Sequence, residues 1–107
     1  MRILFDQGTP VPLREFLRGH DVATAFEMHW SNLSNGDLLL AAEKQFDVLI
    51  TTDQQLCYQQ NLASRKIGVL VLPSASWPKL RPQVAEIAVA VDALSSGDYV
   101  EFPPRAD

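Results

Sequence analysis

Two continuous apolar runs limit what this chain can fold into more than any other feature of its sequence. They are "FDVLIT" at residues 46–51 and "KIGVLVLP" at residues 66–73. A strand covered on both faces is an unbroken apolar run, whereas a strand with one wet face alternates between apolar and polar residues. The two runs therefore predict buried strands at the centre of a parallel sheet.

Weaker strand candidates and helical segments alternate with these runs. Strands are predicted at residues 2–5 and 21–25, and a last, edge strand near residues 95–102, whose direction the pattern leaves open. A first helix is predicted after Thr9, with Thr9 as N-cap and Pro10 at N1. A second is predicted from Gly36 to Lys44, with Ser34 or Asn35 as cap, and a third over residues 53–62. Val84, Ile87, Ala88, Val91 and Leu94 form a helical stripe, and residues 74–82 between are predicted to be a loop. This alternation predicts an α/β fold with a mostly parallel sheet.

Composition narrows the class of protein. The 107 residues suffice for one domain, predicted at 1–102, followed by a short tail at 103–107. No stretch approaches the roughly 20 apolar residues of a membrane-spanning helix, and the N-terminal apolar run is too short for a signal peptide. With its single cysteine, Cys57, the chain is expected to be cytoplasmic. A net charge of −4 argues against a stand-alone basic nucleic-acid binder.

Three aspartates are expected at one rim of the predicted sheet. Asp6 follows the first strand, Asp53 follows the third, and Asp37 opens the second helix. In an open parallel sheet, ligands bind beyond the carboxyl ends of the strands. Clustered carboxylates repel unless a cation lies among them, and Mg²⁺ or Mn²⁺ prefers such oxygen ligands.

Each aspartate also has a structural interpretation. Asp53 is a credible N-cap, and Asp37 in a first helical turn is stabilised by the helix dipole. Asp6 is not needed as a cap, because Thr9 and Pro10 already provide a helix start, so structural need explains Asp6 least well.

The segments "ILFDQGTP", "TAFEMHW" and "NGDLLLAAEKQFDVLITTDQQLCYQQNL" resemble the short PIN-like domains, relatives of the PIN-domain ribonuclease toxins of toxin–antitoxin pairs. The likeness covers about residues 2–72, and "GDLLLAAE" and "DVLITTDQQL" are its specific part. It implies a three-layer α/β/α sandwich and an endoribonuclease that uses Mg²⁺ or Mn²⁺. It also implies an RNA substrate, an antitoxin partner and a homodimer.

The resemblance also implies site residues. By position, Asp6, Asp37 and Asp53 match the catalytic and metal-binding acids of the family. The usual fourth acid, which comes from a mid-domain helix, has no counterpart, and Glu27 is the nearest substitute. Gln7 stands where many relatives have an acid, and His29 stands where a glycine is common.

Further residues are candidates for RNA contacts, and each has a plainer interpretation. Thr52 is able to bind a phosphate oxygen or simply to fit the strand end. Gln54, Tyr58 and Asn61 are candidates for contacts to bases or sugars, and their plainer interpretation is a solvated helix face. Arg65 is a candidate for a phosphate contact, and its plainer interpretation is solubility. Trp30 is interpreted as a packing residue rather than a base-stacking one.

Two other functions remain open at this level. A PIN-like domain that has lost catalysis would serve as a partner-binding module, with the stripe of the C-terminal helix and the "SASWP" loop as contact surfaces. A haloacid-dehalogenase-type phosphatase is disfavoured, because the second acid of its nucleophile loop would fall on Gly8.

Overall fold

The computed structural model describes residues 1–54 and 66–103, and it contains five strands and several helical segments in that part of the chain. The strands are β1 (Arg2–Phe5), β2 (Asp21–Thr24), β3 (Val48–Thr51), β4 (Gly68–Val71) and β5 (Tyr99–Glu101). The α-helices are α1 (Asn35–Ala42), α2 (Trp77–Leu80) and α3 (Val84–Asp92), and 3-10 helices span Val11–Phe16 and Arg81–Gln83.

The five strands form one sheet in the order β2-β1-β3-β4-β5, and every neighbouring pair is parallel. The predicted α/β class with a parallel sheet is thus confirmed. Strand β5 lies at an edge, as predicted, and its parallel direction answers the point that the sequence left open. In register, Phe5 of β1 lies between Thr24 of β2 and Ile50 of β3.

Buried side chains cover both faces of the sheet. On one face, strand residues such as Ile3, Phe5 and Ile50 pack with residues from the 3-10 helix, α2 and α3. On the other face, Leu4 and Leu49 pack with residues of α1. The central strands β3 and β4 are buried at every position, which is the physical reason for their unbroken apolar sequence.

The N-cap of α1 and the buried stripe of α3 agree with the sequence patterns. Ser34 is the N-cap of α1, and its side chain accepts a hydrogen bond from the backbone N–H of Asp37 at 3.3 Å. In α3, Ile87 and Val91 are fully buried, as the predicted stripe requires.

Two predictions about local structure differ from what the structure shows, and a third concerns residues that are mostly not described. The first predicted helix is a 3-10 helix with Pro10 instead of Thr9 at its N-cap position and without a side-chain cap, because the Thr9 hydroxyl is hydrogen-bonded to Asp6 and Ile50. The predicted loop at 74–82 contains α2, which begins after Ser76 with a proline in its first turn. The helix predicted over residues 53–62 lies mostly outside the described residues.

Within the described part of the chain, no helix is long and apolar enough to cross a membrane.

Candidate functional site

The strand order creates a crevice between β1 and β3. The chain leaves β1 toward β2 on one side and leaves β3 toward β4 on the other. Ligands of open parallel sheets bind at such a switch point, beyond the carboxyl ends of the strands. Asp6 directly follows β1, and its backbone N–H donates to the carbonyl of Ile50 in β3 at 3.0 Å. The structure therefore places Asp6 and the segment Thr51–Asp53 beside the same crevice.

The Asp6 carboxylate is held by three neutral donors. Its Oδ1 accepts from the backbone N–H of Gly8 at 3.1 Å and from the Thr9 hydroxyl at 2.6 Å. Its Oδ2 accepts from the Thr51 hydroxyl. The Thr9 oxygen also lies 2.8 Å from the carbonyl oxygen of Ile50, so one proton serves two acceptors. Asp6 therefore has a structural function, and the expectation that structural need explains it least well is wrong.

These hydrogen bonds leave Asp6 with a definite remaining capacity. An ionised carboxylate offers about four lone-pair positions. Gly8 and Thr9 use the two on Oδ1, and Thr51 uses one of the two on Oδ2. With respect to residues 1–54 and 66–103, one position on Oδ2 remains, so Asp6 is able to bind one further donor or a cation through a single oxygen.

Thr51 connects Asp6 to Asp53. Its hydroxyl donates to Asp6 Oδ2 and accepts the backbone N–H of Asp53 at 3.0 Å. Thr51 is only 2% exposed, so this bridge is shielded from water. Asp53 itself is half-buried. Whether Asp53 also caps a helix depends on residues outside the described part of the chain.

Asp37 reaches the same region by a different route. It lies exposed in the first turn of α1, where its backbone N–H donates to Ser34. Its neighbour Leu38 lines a cavity of about 110 Å³ that Asp6 also lines. The complete lining is Asp6, Gln7, Gly8, Ala25, Trp30, Ser31, Leu33 and Leu38. Asp6 and the end of β3 are thus joined by hydrogen bonds, whereas Asp37 stands next to the cavity without lining it.

Glu27, the proposed substitute for a fourth acid, is bound to Arg14. Arg14 contacts the two oxygens at 2.5 and 3.3 Å, and the Thr24 backbone N–H donates to Oε1 at 2.9 Å. The Glu27 backbone N–H donates in return to the Thr24 hydroxyl at 3.1 Å. The hydrogen bond from Arg14, and secondly that from the Thr24 backbone, lower the pKa of Glu27 below its ordinary value. A cation at Glu27 would have to compete with the guanidinium.

The supporting residues fall into two groups. Thr52 is half-buried, and its Oγ1 lies so close to Gly8 that a Cβ at that glycine would overlap it. The side-chain amide of Gln54 donates to the carbonyl of Leu72 at 2.5 Å and so ties the end of β3 to the end of β4. The other candidates, Tyr58, Asn61 and Arg65, lie outside the described residues.

Two residues of this network were missed by sequence reasoning. The sequence rules predict Thr9 as a helix cap, although Asp-x-Gly-Thr is also a pattern in which an aspartate accepts from the N–H two residues on. Thr51 lies 45 residues from Asp6, and no local spacing predicts their contact.

In residues 1–54 and 66–103, no group of three or more His, Cys, Asp or Glu residues is arranged to hold a metal ion. In comparisons with known proteins, the chain matches no protein-family model, no curated protein and no solved structure.

Proposed function

We propose that this protein is a PIN-like, Mg²⁺- or Mn²⁺-dependent endoribonuclease and the toxin of a toxin–antitoxin pair. Its fold on this proposal is a three-layer α/β/α sandwich. The parallel sheet, with buried side chains on both faces, supports that architecture. The resemblance of the sequence to short PIN-like domains supplies the activity and the partner.

The observation that carries the proposal is the Thr51 bridge at the switch point. One buried hydroxyl orients the Asp6 carboxylate and at the same time fixes the backbone at Asp53. Among the described residues, no cationic side chain is paired with Asp6. A carboxylate oriented by neutral donors has no cationic side chain that a metal ion would have to displace.

Mg²⁺ or Mn²⁺ is the ion that we propose for these oxygen donors. Mg²⁺ usually keeps several waters and binds through one or two carboxylates together with substrate phosphates. Considering the described residues, Asp6 Oδ2 has one position left, Asp53 follows the neighbouring strand β3, and Asp37 is exposed beside the cavity. When bound there, such an ion would lower the pKa of a coordinated water and stabilise the oxygens of a phosphodiester displacement.

The protein residues have separate roles on this proposal. Asp6, Asp37 and Asp53 are the catalytic acids that bind the ion. Gly8, Thr9 and Thr51 hold Asp6 in one orientation. The RNA backbone and bases are contacted by Thr52, Gln54, Tyr58, Asn61 and Arg65.

The test is cleavage of labelled single-stranded RNA by the full chain in Mn²⁺ or Mg²⁺. We expect Asp6→Asn and Asp53→Asn each to lower the rate at least about 100-fold, as loss of a principal electrostatic group does. The matched control is Asp21→Asn, which removes the same charge at the opposite end of β2, where the side chain is 80% exposed. Cleavage that persists in chelator, or in both Asn variants, would contradict the proposal.

A second candidate is a partner-binding module with weak or no catalysis. The Arg14–Glu27 pair favours it, because the nearest substitute for a fourth acid already holds a cationic side chain. Cleavage gained by Arg14→Gln, with the fold unchanged by circular dichroism, would exclude this alternative. Mn²⁺ binding by calorimetry with no cleavage in any variant would support it.

A further inference from the structure

Phe26 is the most exposed large hydrophobic residue in the described part of the chain, with 75% of its surface open to solvent. It lies in the segment 24–30 that follows β2, here called the 24–30 turn. Its neighbour Ala25 is buried on the sheet, so Phe26 is the residue that the turn directs outward. A phenylalanine left in water forgoes the roughly 1.5–3 kcal/mol that its burial would contribute to stability.

The 24–30 turn is held firmly by its own hydrogen bonds. The backbone N–H of Met28 donates to the Thr24 carbonyl at 3.1 Å, and that of Trp30 donates to the Ala25 carbonyl at 2.8 Å. The Thr24–Glu27 bonds and the ion pair to Arg14 add to these. The backbone that carries the exposed Phe26 ring is therefore ordered by hydrogen bonds.

The backbone of the turn is strained at His29. Its φ of 62° lies in the left-handed region, where a residue with a side chain costs about 1–3 kcal/mol. Such conformations concentrate at functional sites, where the surrounding structure enforces them. The hydrogen bond from His29 N–H to the Phe26 carbonyl, at 3.1 Å, connects this strained residue directly to Phe26.

The turn borders the candidate site. Ala25 and Trp30, which begin and end the loop around Phe26, line the same cavity as Asp6. The Trp30 ring is anchored edge-on against Phe46, with ring centroids 6.2 Å apart, which confirms its interpretation as a packing residue. Phe26 thus directly follows Ala25, a residue of the cavity wall, and its own ring is exposed to solvent.

The position of Phe26 beside the Asp6 cavity, and not the charge of the protein, points to a base as the partner of this ring. A chain with net charge −4 gains little affinity for nucleic acid from phosphate neutralisation. Aromatic stacking supplies affinity that does not depend on a positive surface, at about 1–3 kcal/mol per base. A protein partner would require a contiguous apolar patch, whereas Phe26 is followed by the charged Glu27.

We propose that Phe26 stacks on a nucleobase of single-stranded RNA whose backbone enters the cavity at Asp6. The inference rests on the proposed ribonuclease function and adds a base-binding subsite to it. Phe26 binds the substrate and takes no part in the chemical step.

The experiment measures binding of a fluorescent single-stranded oligoribonucleotide to the full chain by anisotropy, with Ca²⁺ in place of Mg²⁺ and Mn²⁺ and with intact RNA verified on a gel. We expect Phe26→Ala to weaken binding about 5- to 150-fold. Phe26→Leu, which keeps apolar area but has no π-face, should lose nearly as much, and Phe26→Trp should bind as well as the parent or better. The control is Val89→Ala, which truncates another exposed residue, 68% open, on α3.

The outcomes separate this inference from the proposed function. Parental affinity in Phe26→Ala, equal binding by Phe26→Leu and the parent, or no RNA binding by the parent would overturn the stacking subsite. A dimer that Phe26→Ala dissociates in light scattering would instead assign the ring to self-association and overturn it as well. Phe26-dependent binding without any cleavage would leave the subsite standing and remove the ribonuclease proposal.

Discussion

The strands begin at one side of the sheet, here called the amino edge, and end at the other, here called the carboxyl edge. The aspartates at these two edges have different hydrogen-bond partners. At the amino edge, where the strands begin, Asp21 faces Arg2 at 3.9 Å and Asp92 contacts His20 Nε2 at 2.6 Å. Asp47 accepts the backbone N–H of Arg2 at 2.8 Å and so joins the starts of β1 and β3. At the carboxyl edge, the donors to Asp6 in the described part of the chain are one backbone amide and two hydroxyls.

This difference indicates what each edge can do. A carboxylate beside an arginine, such as Asp21, has its charge balanced within the protein. A carboxylate that accepts a hydrogen bond from a histidine or a backbone N–H, such as Asp92 or Asp47, contributes to the fold through that bond. A carboxylate oriented by neutral groups is equally well ordered, but its charge is left for a ligand. Among the described residues, Asp21 at the amino edge has a cationic partner and Asp47 joins two strands, whereas Asp6 at the carboxyl edge is ordered by neutral donors without a cationic partner.

The largest effect on stability is expected for Thr51→Val. The variant keeps the side-chain shape but leaves Asp6 Oδ2 and the Asp53 N–H without their shared partner. Unmade hydrogen bonds of partly buried groups cost about 1–3 kcal/mol, so the free energy of unfolding in urea should fall by about 2 kcal/mol. At the amino edge, Asp21→Asn should change it by less than about 0.5 kcal/mol, because the Arg2–Asp21 pair is largely exposed. An equal loss at both edges would remove the contrast.

A somewhat smaller loss is expected for Gly8→Ala. The added Cβ would overlap Thr52 Oγ1, and overpacking of this kind costs about 1–2 kcal/mol. Removing the obstructing hydroxyl should relieve the strain, so Gly8→Ala combined with Thr52→Ala should be less destabilised than the sum of the single variants. Strict additivity in this double-mutant cycle, measured by denaturant unfolding, would show that the two loops are not in contact.

A gain in stability is expected for His29→Gly. Glycine adopts a φ of 62° without steric cost, so the free energy of unfolding should rise by about 1 kcal/mol. Gly19→Ala, at a φ of 87°, is the reverse control and should lose a similar amount. If His29→Gly were destabilising, the imidazole would have to stabilise the turn through its own contacts.

The smallest effect is expected for Glu27→Gln, and it depends on pH. Since the pKa of Glu27 is lowered in the folded protein, its ionised form stabilises the fold above its ordinary pKa of 4.5. This contribution is lost as the pH falls through the lowered value. The Tm difference between parent and variant should therefore be positive at pH 7 and shrink in acid below pH 4.5. Glu15→Gln, at an exposed position on the neighbouring 3-10 helix, should show a smaller and flatter difference.

Much of the candidate site could be anticipated because its acids follow strands directly. Because Asp6 and Asp53 each follow an apolar run, the sequence predicts that they lie at one rim. The parallel register of β1 with β3 agrees with this prediction. What failed was the structural interpretation of the residues between them. Thr9 fits the rules for a helix cap locally, but its hydroxyl finds better partners in Asp6 and Ile50 once β3 lies alongside.

The sequence by itself determined the α/β class, the buried central strands and the rim on which Asp6 and Asp53 lie, because unbroken apolar runs and alternating helices are local signals. Only the tertiary structure decided the strand order, the parallel direction of β5, the Thr51 bridge and the pairing of Glu27 with Arg14. Each of these depends on residues far apart in the chain, and their contact free energies are set by neighbours that no local pattern specifies.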